Sequence, residues 1–307
     1  MEREKADWQV SSMRVLNFGS LNLDYVYNVD HFVRPGETLA ASSRAVKAGG
    51  KGLNQSVALA RAGVPVCHAG CLGAGGEMLK IMLDENGVDT ECLLPVPEAQ
   101  GHTVIQVDRD GANCILLFGG SNRCVTEDQV RRVIGRFSRG DWLLLQNEIN
   151  CLPLIVKLAS EQGMHIVLNP SPFNASLEEV DFSLLDWLLV NEVEAEQLCG
   201  ETEPDLAWEK LHERYPRLSL LVTLGCRGSA AYRVQDGSVE ACRADAVRVK
   251  AVDTTAAGDT YTGYFIAGLM EGEPLQTCME LASRAAAAAV TRPGAAESIP
   301  WKKELVH

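Results

Sequence analysis

Positive charge is scarce in this 307-residue chain: 28 lysines and arginines face 41 aspartates and glutamates, for a net charge of −13. Such a surface repels a nucleic-acid backbone on average, so no nucleic-acid partner is expected, although a nucleotide held by local contacts is compatible with it. Long apolar runs are missing too. None approaches the length a membrane span needs, so no membrane partner is expected. The polar start, Met1 to Ser12, has no apolar signal core and reads as a loose extension, 1–12, ahead of a single body, 13–307. Zinc-type cysteine spacing is absent. The ten cysteines are scattered, and the closest pair, Cys67 and Cys71, has no neighbouring ligand residues. They read as reduced, buried small hydrophobes, which points to the cytoplasm. Neither Gly-x-Gly-x-x-Gly after the first apolar run nor a Gly-Lys-Ser/Thr phosphate loop occurs, which weakens both a nicotinamide oxidoreductase and a P-loop enzyme.

What is present is an ordinary globular composition, 46% hydrophobic and 22% charged, on a chain long enough for a sizeable core. Val15 to Phe18 reads as a first strand, and Leu53 to Ala62 as a helix ended by Gly63. Trp142–Leu145, Ile166–Leu168, Trp187–Val190 and Leu218–Val222 read as short buried strands, with helices such as Glu127–Phe137 and Leu152–Glu161 between them. This alternation predicts a parallel sheet covered by helices. Two stretches break the rhythm. Tyr25–Lys47 and Thr103–Phe118 are β-like, the second a hairpin turning at Arg109-Asp110-Gly111. They predict a small β lid, from about 22–48 and 102–119, beside the main sheet. The small-residue run Ala285–Ala289 predicts a helix packed closely on its neighbours.

The chemistry concentrates in Asp253-Thr-Thr-Ala256-Ala257-Gly258-Asp259, just before an apolar helical pattern. Small residues let a backbone approach a ligand closely. A helix start aims free amides and partial positive charge at an anion. A carboxylate in the same turn can accept an alcohol proton while those amides hold a phosphoryl group. On these residues alone, Asp259 as a plain helix-capping charge stays equally open. A second cluster, Gly49-Gly50-Lys51-Gly52-Leu53-Asn54-Gln55, also opens a helix. Its amides and Asn54 suit sugar hydroxyls, and a glycine-rich turn with a solvated lysine is the alternative. Asn22 and Asp24 follow the first strand, at the carboxyl end where parallel sheets bind ligands; a turn aspartate is the plainer reading.

Together these stretches resemble the ribokinase-like carbohydrate kinase family of the phosphofructokinase B type, over about Met13 to Pro300. Pro35-Gly-Glu-Thr38, Leu168-Asn-Pro-Ser-Pro172, Asn191-Glu-Val-Glu194, Thr223-Leu-Gly-Cys-Arg-Gly228 and Ala289-Val-Thr-Arg292-Pro-Gly294-Ala-Ala-Glu-Ser298 carry the likeness further, in family order. The resemblance implies a three-layer αβα sandwich with a mostly parallel sheet and a β lid. It implies a kinase that moves the γ-phosphoryl group of ATP to the 5-hydroxyl of D-ribose, with Asp259 as base and Ala256, Ala257 and Gly258 as anion hole. It places Asn22, Asp24, Gly50, Lys51, Gly52, Asn54 and Glu148 on the sugar. Asn191 and Glu194 fall on phosphate and hydrated Mg²⁺. Thr223, Leu224, Gly225, Cys226, Arg227, Gly228, Gly258 and Ser283 fall on the nucleotide. Asp253, Thr255, Ala289, Arg292, Gly294 and Ser298 match a loop for a monovalent cation, K⁺.

The chain departs from the family pattern in a few places. Leu53 and Tyr264 stand where small residues are usual, segment 72–77 is about two residues short and lacks the usual acidic residues, and Ser283 stands where a histidine near adenine can occur. Another acceptor (a different pentose, a hexose derivative or a nucleoside) and a non-catalytic sugar-binding protein are the rival readings. Lid strands have edges, and edges tend to be paired, so a homodimer joined through two lids is expected.

Overall fold

Two sheets organise residues 13–305, the part of the chain that the computed structural model describes. The expected N-terminal extension, 1–12, lies outside the described residues, as do 306 and 307. Strand β1 (Val15–Phe18) leads into β2 (Asn22–Asn28) and β3 (Ser43–Gly49), and β3 runs directly into α1 (Lys51–Arg61). Next come β4 (Val66–Ala74), α2 (Glu77–Glu85) and β5 (Asp89–Ala99), then the hairpin of β6 (His102–Val107) and β7 (Asn113–Phe118). Helix α3 (Glu127–Ile134), β8 (Trp142–Gln146), α4 (Leu152–Gln162), β9 (His165–Asn169) and β10 (Trp187–Asn191) continue the alternation. Helices α5 (Glu192–Cys199) and α6 (Pro204–Arg214) precede β11 (Ser219–Thr223), β12 (Ser229–Gln235) and β13 (Ser238–Ala244). The pair α7 (Ala257–Met270) and α8 (Leu275–Val290) follows.

The large sheet has the order β13-β12-β11-β10-β9-β8-β1-β4-β5. It is parallel from β5 to β11, and only β12 and β13 pair antiparallel. Strands β1 and β8 to β11 are mostly apolar and buried because they are covered on both faces, whereas the edge strand β5 is largely half-buried or exposed. Side-chain alternation sorts the core into two layers. Leu16, Phe18, Leu143 and Leu145 pack with α3, α4, α5 and α6, whereas Val15, Trp142 and Leu144 pack with α1, α2, α7 and α8. This is the sandwich expected from the βα rhythm. The expected strands and helices stand within a few residues of their places. Helix α3 stops at Gly135, short of Phe137, and α4 stops at Gly163, whose φ of 76° is a left-handed helix end.

The small sheet, β3-β2-β6-β7, pairs β2 with β6 in parallel and is antiparallel elsewhere. It takes up the two β-like stretches. Strands β4 and β5 carry weaker signals. Gly70 and Gly73 interrupt β4, and β5 contains Pro95 and Pro97, which suits its place at the edge of the sheet. Among the described residues no helix is long and apolar enough to cross a membrane.

Candidate active site

The carboxyl ends of β1, β8, β10 and β11 and the N-termini of α1 and α7 meet on one side of the large sheet. Gly50 (φ 94°) turns the chain out of β3 into α1, and Gly52 lets that helix start lie on the β1–β2 connection. A Cβ at Gly52 would stand 2.3 Å from the Ser20 amide nitrogen, so the contact needs glycine. Ala256, at φ 61°, turns the chain into α7 and accepts from the Thr260 amide at 2.8 Å. The amides of Gly258 and Asp259 have no acceptor among the described residues. A Cβ on Gly258 would meet only open space, so the helix start presents a bare backbone cradle.

Asp259 sits at this opening, 7% exposed. Asn54 Nδ2 donates to its Oδ2 and Gln55 Nε2 to its Oδ1, both at 2.9 Å. Asp259 therefore does not cap its own helix; α1 holds it. Lys51, Asn169, Asn191, Glu194, Gly258 and Asp259 line a polar cavity of about 270 Å³. Burial alone would depress the Lys51 ammonium, but Asp259, Glu148 and Glu194 outweigh it and hold that group above its ordinary value. Lys51 thus reaches the centre of the site and is not the solvated lysine of the plainer reading. Asn191 and Glu194 form a reciprocal helix cap: Asn191 Oδ1 accepts from the Glu194 amide at 2.9 Å and Glu194 Oε2 from the Asn191 amide at 3.0 Å. Glu194 is buried, and its Oε1 has no protein donor among the described residues.

Beside Asp259 lies a polar rim. Glu148 Oε2 accepts from the Lys51 amide at 3.0 Å and from the Ser20 hydroxyl. Burial pushes its carboxyl above the ordinary value, against the pull of Lys51. Asp24 accepts from the Thr103 hydroxyl at 2.6 Å, and burial raises its pKa from 3.8 to about 6. Asn22 is held by Asn122, whose Nδ2 donates to Asn22 Oδ1 at 2.7 Å. Asn54 Oδ1 is buried with no partner among the described residues. Asn22 and Glu148 line an opening of about 480 Å³ together with Phe118, Asn122 and Arg123, between the large sheet and the lid.

On the other side of the α7 start, a cavity of about 710 Å³ is lined by Thr223, Gly225, Cys226, Gly228 and Ser283. Thr223, Thr254, Ala257 and Gly258 line both this cavity and the polar one holding Asp259. Leu224 turns into the core instead, and Arg227 pairs with Glu192 at the surface, so neither side chain reaches the cavity. Much of the remaining wall comes from residues without a distinctive signature, Ala246, Val247, Val249 and Ala251, and from α8 Ala286, Ala287 and Val290, with Arg248 and Tyr261 also lining it. The alanine run does pack α8 closely, with Ala285 and Ala289 buried, and it also leaves room for a ligand. Tyr261, buried below Ser283, bonds Ser229 Oγ at 2.7 Å.

Asp253 ties the loop before α7 to the turn after α8. Its Oδ1 accepts from the Thr255 amide and hydroxyl, at 2.9 and 2.6 Å, and its Oδ2 from the Gly294 amide at 3.0 Å. Although burial opposes it, these bonds keep its carboxyl below the ordinary value. Val290 O accepts from the Val252 amide at 2.7 Å, and Ser298 Oγ bonds Ala295 O at 2.9 Å. Arg292 points away, paired with Glu304 at 2.6 Å. Among the described residues no three His, Cys, Asp or Glu side chains form a metal cluster, so a cation here would rest on carbonyl oxygens and single carboxylates.

A helix-start cradle, an oriented buried carboxylate and two cavities meeting at the cradle define a small-molecule phosphotransferase. Residues 13–302 match the pfkB family of carbohydrate kinases. A ribokinase of Haemophilus influenzae is 34% identical over 94% of this chain and 96% of its own. The ribokinase of Cryptococcus neoformans, solved with ADP, superposes with a TM-score of 0.81 at 34% identity, over 96% of this chain and 99% of its own. The Arabidopsis thaliana ribokinase, solved with ribose and ATP, gives 0.85 at 28% identity, over 97% and 98%. The chain belongs to the pfkB carbohydrate kinase family, and so transfers a phosphoryl group to a sugar hydroxyl.

Proposed function

We propose that this kinase moves the γ-phosphoryl group of ATP to the 5-hydroxyl of D-ribose, with Asp259 as general base. The observation that carries the reading is Asp259 itself. Both its oxygens are oriented by α1, and it faces the shared end of a polar and an apolar cavity. The relatives named ribokinase, one of them bound to ribose and ATP, support the choice of substrates. Asn22, Asp24, Asn54 and Glu148 hold the sugar: carboxylates accept hydroxyl protons. Asp259 removes the 5-hydroxyl proton, a contribution of about a hundred- to ten-thousandfold. The amides of Gly258 and Asp259 receive the charge that develops on the phosphoryl oxygens, and Lys51 adds a fixed positive charge beside them. The adenine end lies against Ala286, Ala287 and Val290.

The free Oε1 of Glu194 suits hydrated Mg²⁺, which when bound would neutralise phosphate charge. The hard oxygens around Asp253 and the carbonyls after α8 suit K⁺, whose chemistry would be to order the Ala256–Asp259 turn from behind. The small sheet closes the acceptor side against water. Its edge strand β7 exposes Ile115, Leu116, Leu117 and Phe118, which favours a homodimer joined through the lids; a monomer by sedimentation at micromolar concentration would count against this. Ten free cysteines favour the cytoplasm. An ADP-release assay over a panel of sugars and nucleosides, with and without K⁺, tests the whole reading. Ribose should turn over fastest and K⁺ should accelerate it; a nucleoside or hexose outrunning ribose would overturn the acceptor.

A further inference from the structure

Behind Asp259 the α1 face of the sheet carries a row of buried polar side chains where an apolar core would serve. Asn17 of β1, His68 of β4 and Gln146 of β8 all occupy alternation positions that point to this face, and all are inaccessible. Gln146 Nε2 donates to Gln55 Oε1 at 2.6 Å and to Asn17 Oδ1 at 3.0 Å, which uses both its hydrogens. Asn17 Nδ2 donates to Gly52 O at 2.7 Å and to Ser56 Oγ at 2.8 Å, again using both. Ser56 in turn meets His68 Nδ1 at 2.8 Å. Every amide in the row is therefore fixed in one orientation. Reversing Gln55 would turn its oxygen onto the Asp259 carboxylate. Reversing Gln146 would set its oxygen against those of Asn17 and Gln55.

The orientation is kept at a cost. Gln146 Oε1 is buried without a partner among the described residues, and a buried polar group left unpaired destabilises a fold. A row kept despite that penalty has a directional task. We infer that Gln55 and Gln146, backed by Asn17, are positioning residues for the phosphoryl-transfer base: they fix which lone pairs of Asp259 face the acceptor hydroxyl. The inference rests on the reading of Asp259 as that base. Each carboxylate oxygen takes one hydrogen bond from α1, Oδ2 from Asn54 and Oδ1 from Gln55, which leaves the outward lone pairs for substrate. The charged groups around Asp259 are Lys51 from α1, Glu148 after β8 and Glu194 from α5. On α8, packed against α7, Cys278 has its thiol pushed up to about 11 by burial and stays neutral. At the far end of the row, burial lowers His68 to about 4, so it too is neutral near pH 7. The row therefore acts through dipoles, with no mobile charge in it.

The test is kinetic. Gln55→Leu should lower kcat about ten- to a hundredfold, the worth of a hydrogen bond to a charged group, with KM for sugar and ATP within about threefold. Loss of a donor to the ionised base should also move the acid limb of the kcat–pH profile up by about one unit. Gln146→Leu should do the same more weakly, and the double variant should be no slower than Gln55→Leu, because Gln146 acts through Gln55. If Gln55→Leu fails to fold, Gln55→Glu is the isosteric variant: a second carboxyl sharing a proton with Asp259 should move the acid limb up further. A lowered Tm with unchanged pH profile, or a rise in sugar KM at constant kcat, overturns the inference. Asp259→Asn, run alongside, separates the two claims. If that variant keeps its rate, the base assignment has failed; if it is inactive while the glutamine variants behave as wild type, only the positioning role has failed.

Discussion

On the side of Asp259 that we propose takes the acceptor, the site is made of side chains: Asn22, Asp24, Lys51, Asn54 and Glu148 all hold hydrogen bonds or charges there. On the donor side it is made of space. Mostly alanine, valine and glycine surround about 710 Å³, with Thr223, Arg248, Thr254, Tyr261 and Ser283 among them. The contrast follows from what each side must recognise. A sugar is distinguished by hydroxyls, which need directional partners, whereas an adenine needs a flat apolar slot and its phosphates need amides. Substitutions on the first side should therefore act through chemistry and pH, and those on the second through volume.

The largest effect expected tests the point where both sides meet. Asp259→Asn should lower kcat by about a hundred- to ten-thousandfold while ribose affinity, measured by calorimetry, changes little. A near-wild-type rate would break the assignment. Next, Ala287→Phe should fill part of the donor cavity and raise KM for ATP about tenfold or more, with sugar KM unchanged. An equal rise in both would show that the two sides are not separate. A smaller effect concerns Asp24, raised to about 6 first by burial. In the folded chain its neutral form is favoured, so that contribution to stability is full below pH 3.8 and is lost as pH rises through about 6. On the proposed role of Asp24, sugar binding needs the ionised form and runs the other way: sugar KM should rise about tenfold from pH 7 to pH 5, and Asp24→Asn should flatten the dependence. Smallest is Tyr264→Phe, which removes a 2.7 Å bond from a buried hydroxyl to Pro300 O and should reduce stability by about 1 kcal/mol in urea unfolding.

The same contrast governs what the sequence discloses. The acceptor side is legible because glycine, asparagine and carboxylate cluster at two helix starts, Gly50–Asn54 and Asp259; each cluster alone leaves a plainer reading open, and the accompanying stretches in family order decide between them. The donor wall is not: Ala246–Ala251 reads as an unremarkable connection and Ala286 and Ala287 as packing, because volume left empty has no residue type of its own. Leu224 and Arg227 illustrate the reverse. They stand inside a recognisable loop, but the turn sends one to the core and the other to Glu192. Gln146 and Asn17 escape notice because a lone amide in a strand has no period, and Gln55, although it stands in the glycine cluster, is given no role of its own. Their signal is polarity at an inward-facing position, which appears only once the two faces of β1 and β8 are assigned. In the fold, β4 and β5 are masked by glycine and proline inside strands whose neighbours tolerate them.

The placement of the two sides along the chain has a consequence for how such an enzyme diversifies. Every group proposed to hold the acceptor, apart from Asp259, lies between residues 20 and 148, and the proposed donor wall lies between 223 and 290. The two stretches meet through four shared lining residues, Thr223, Thr254, Ala257 and Gly258, and through the grip of α1 on Asp259. Changes confined to the first half can retune the acceptor while the machinery that delivers phosphate is inherited intact. A lineage built on this plan can exchange one hydroxyl for another without reinventing the transfer.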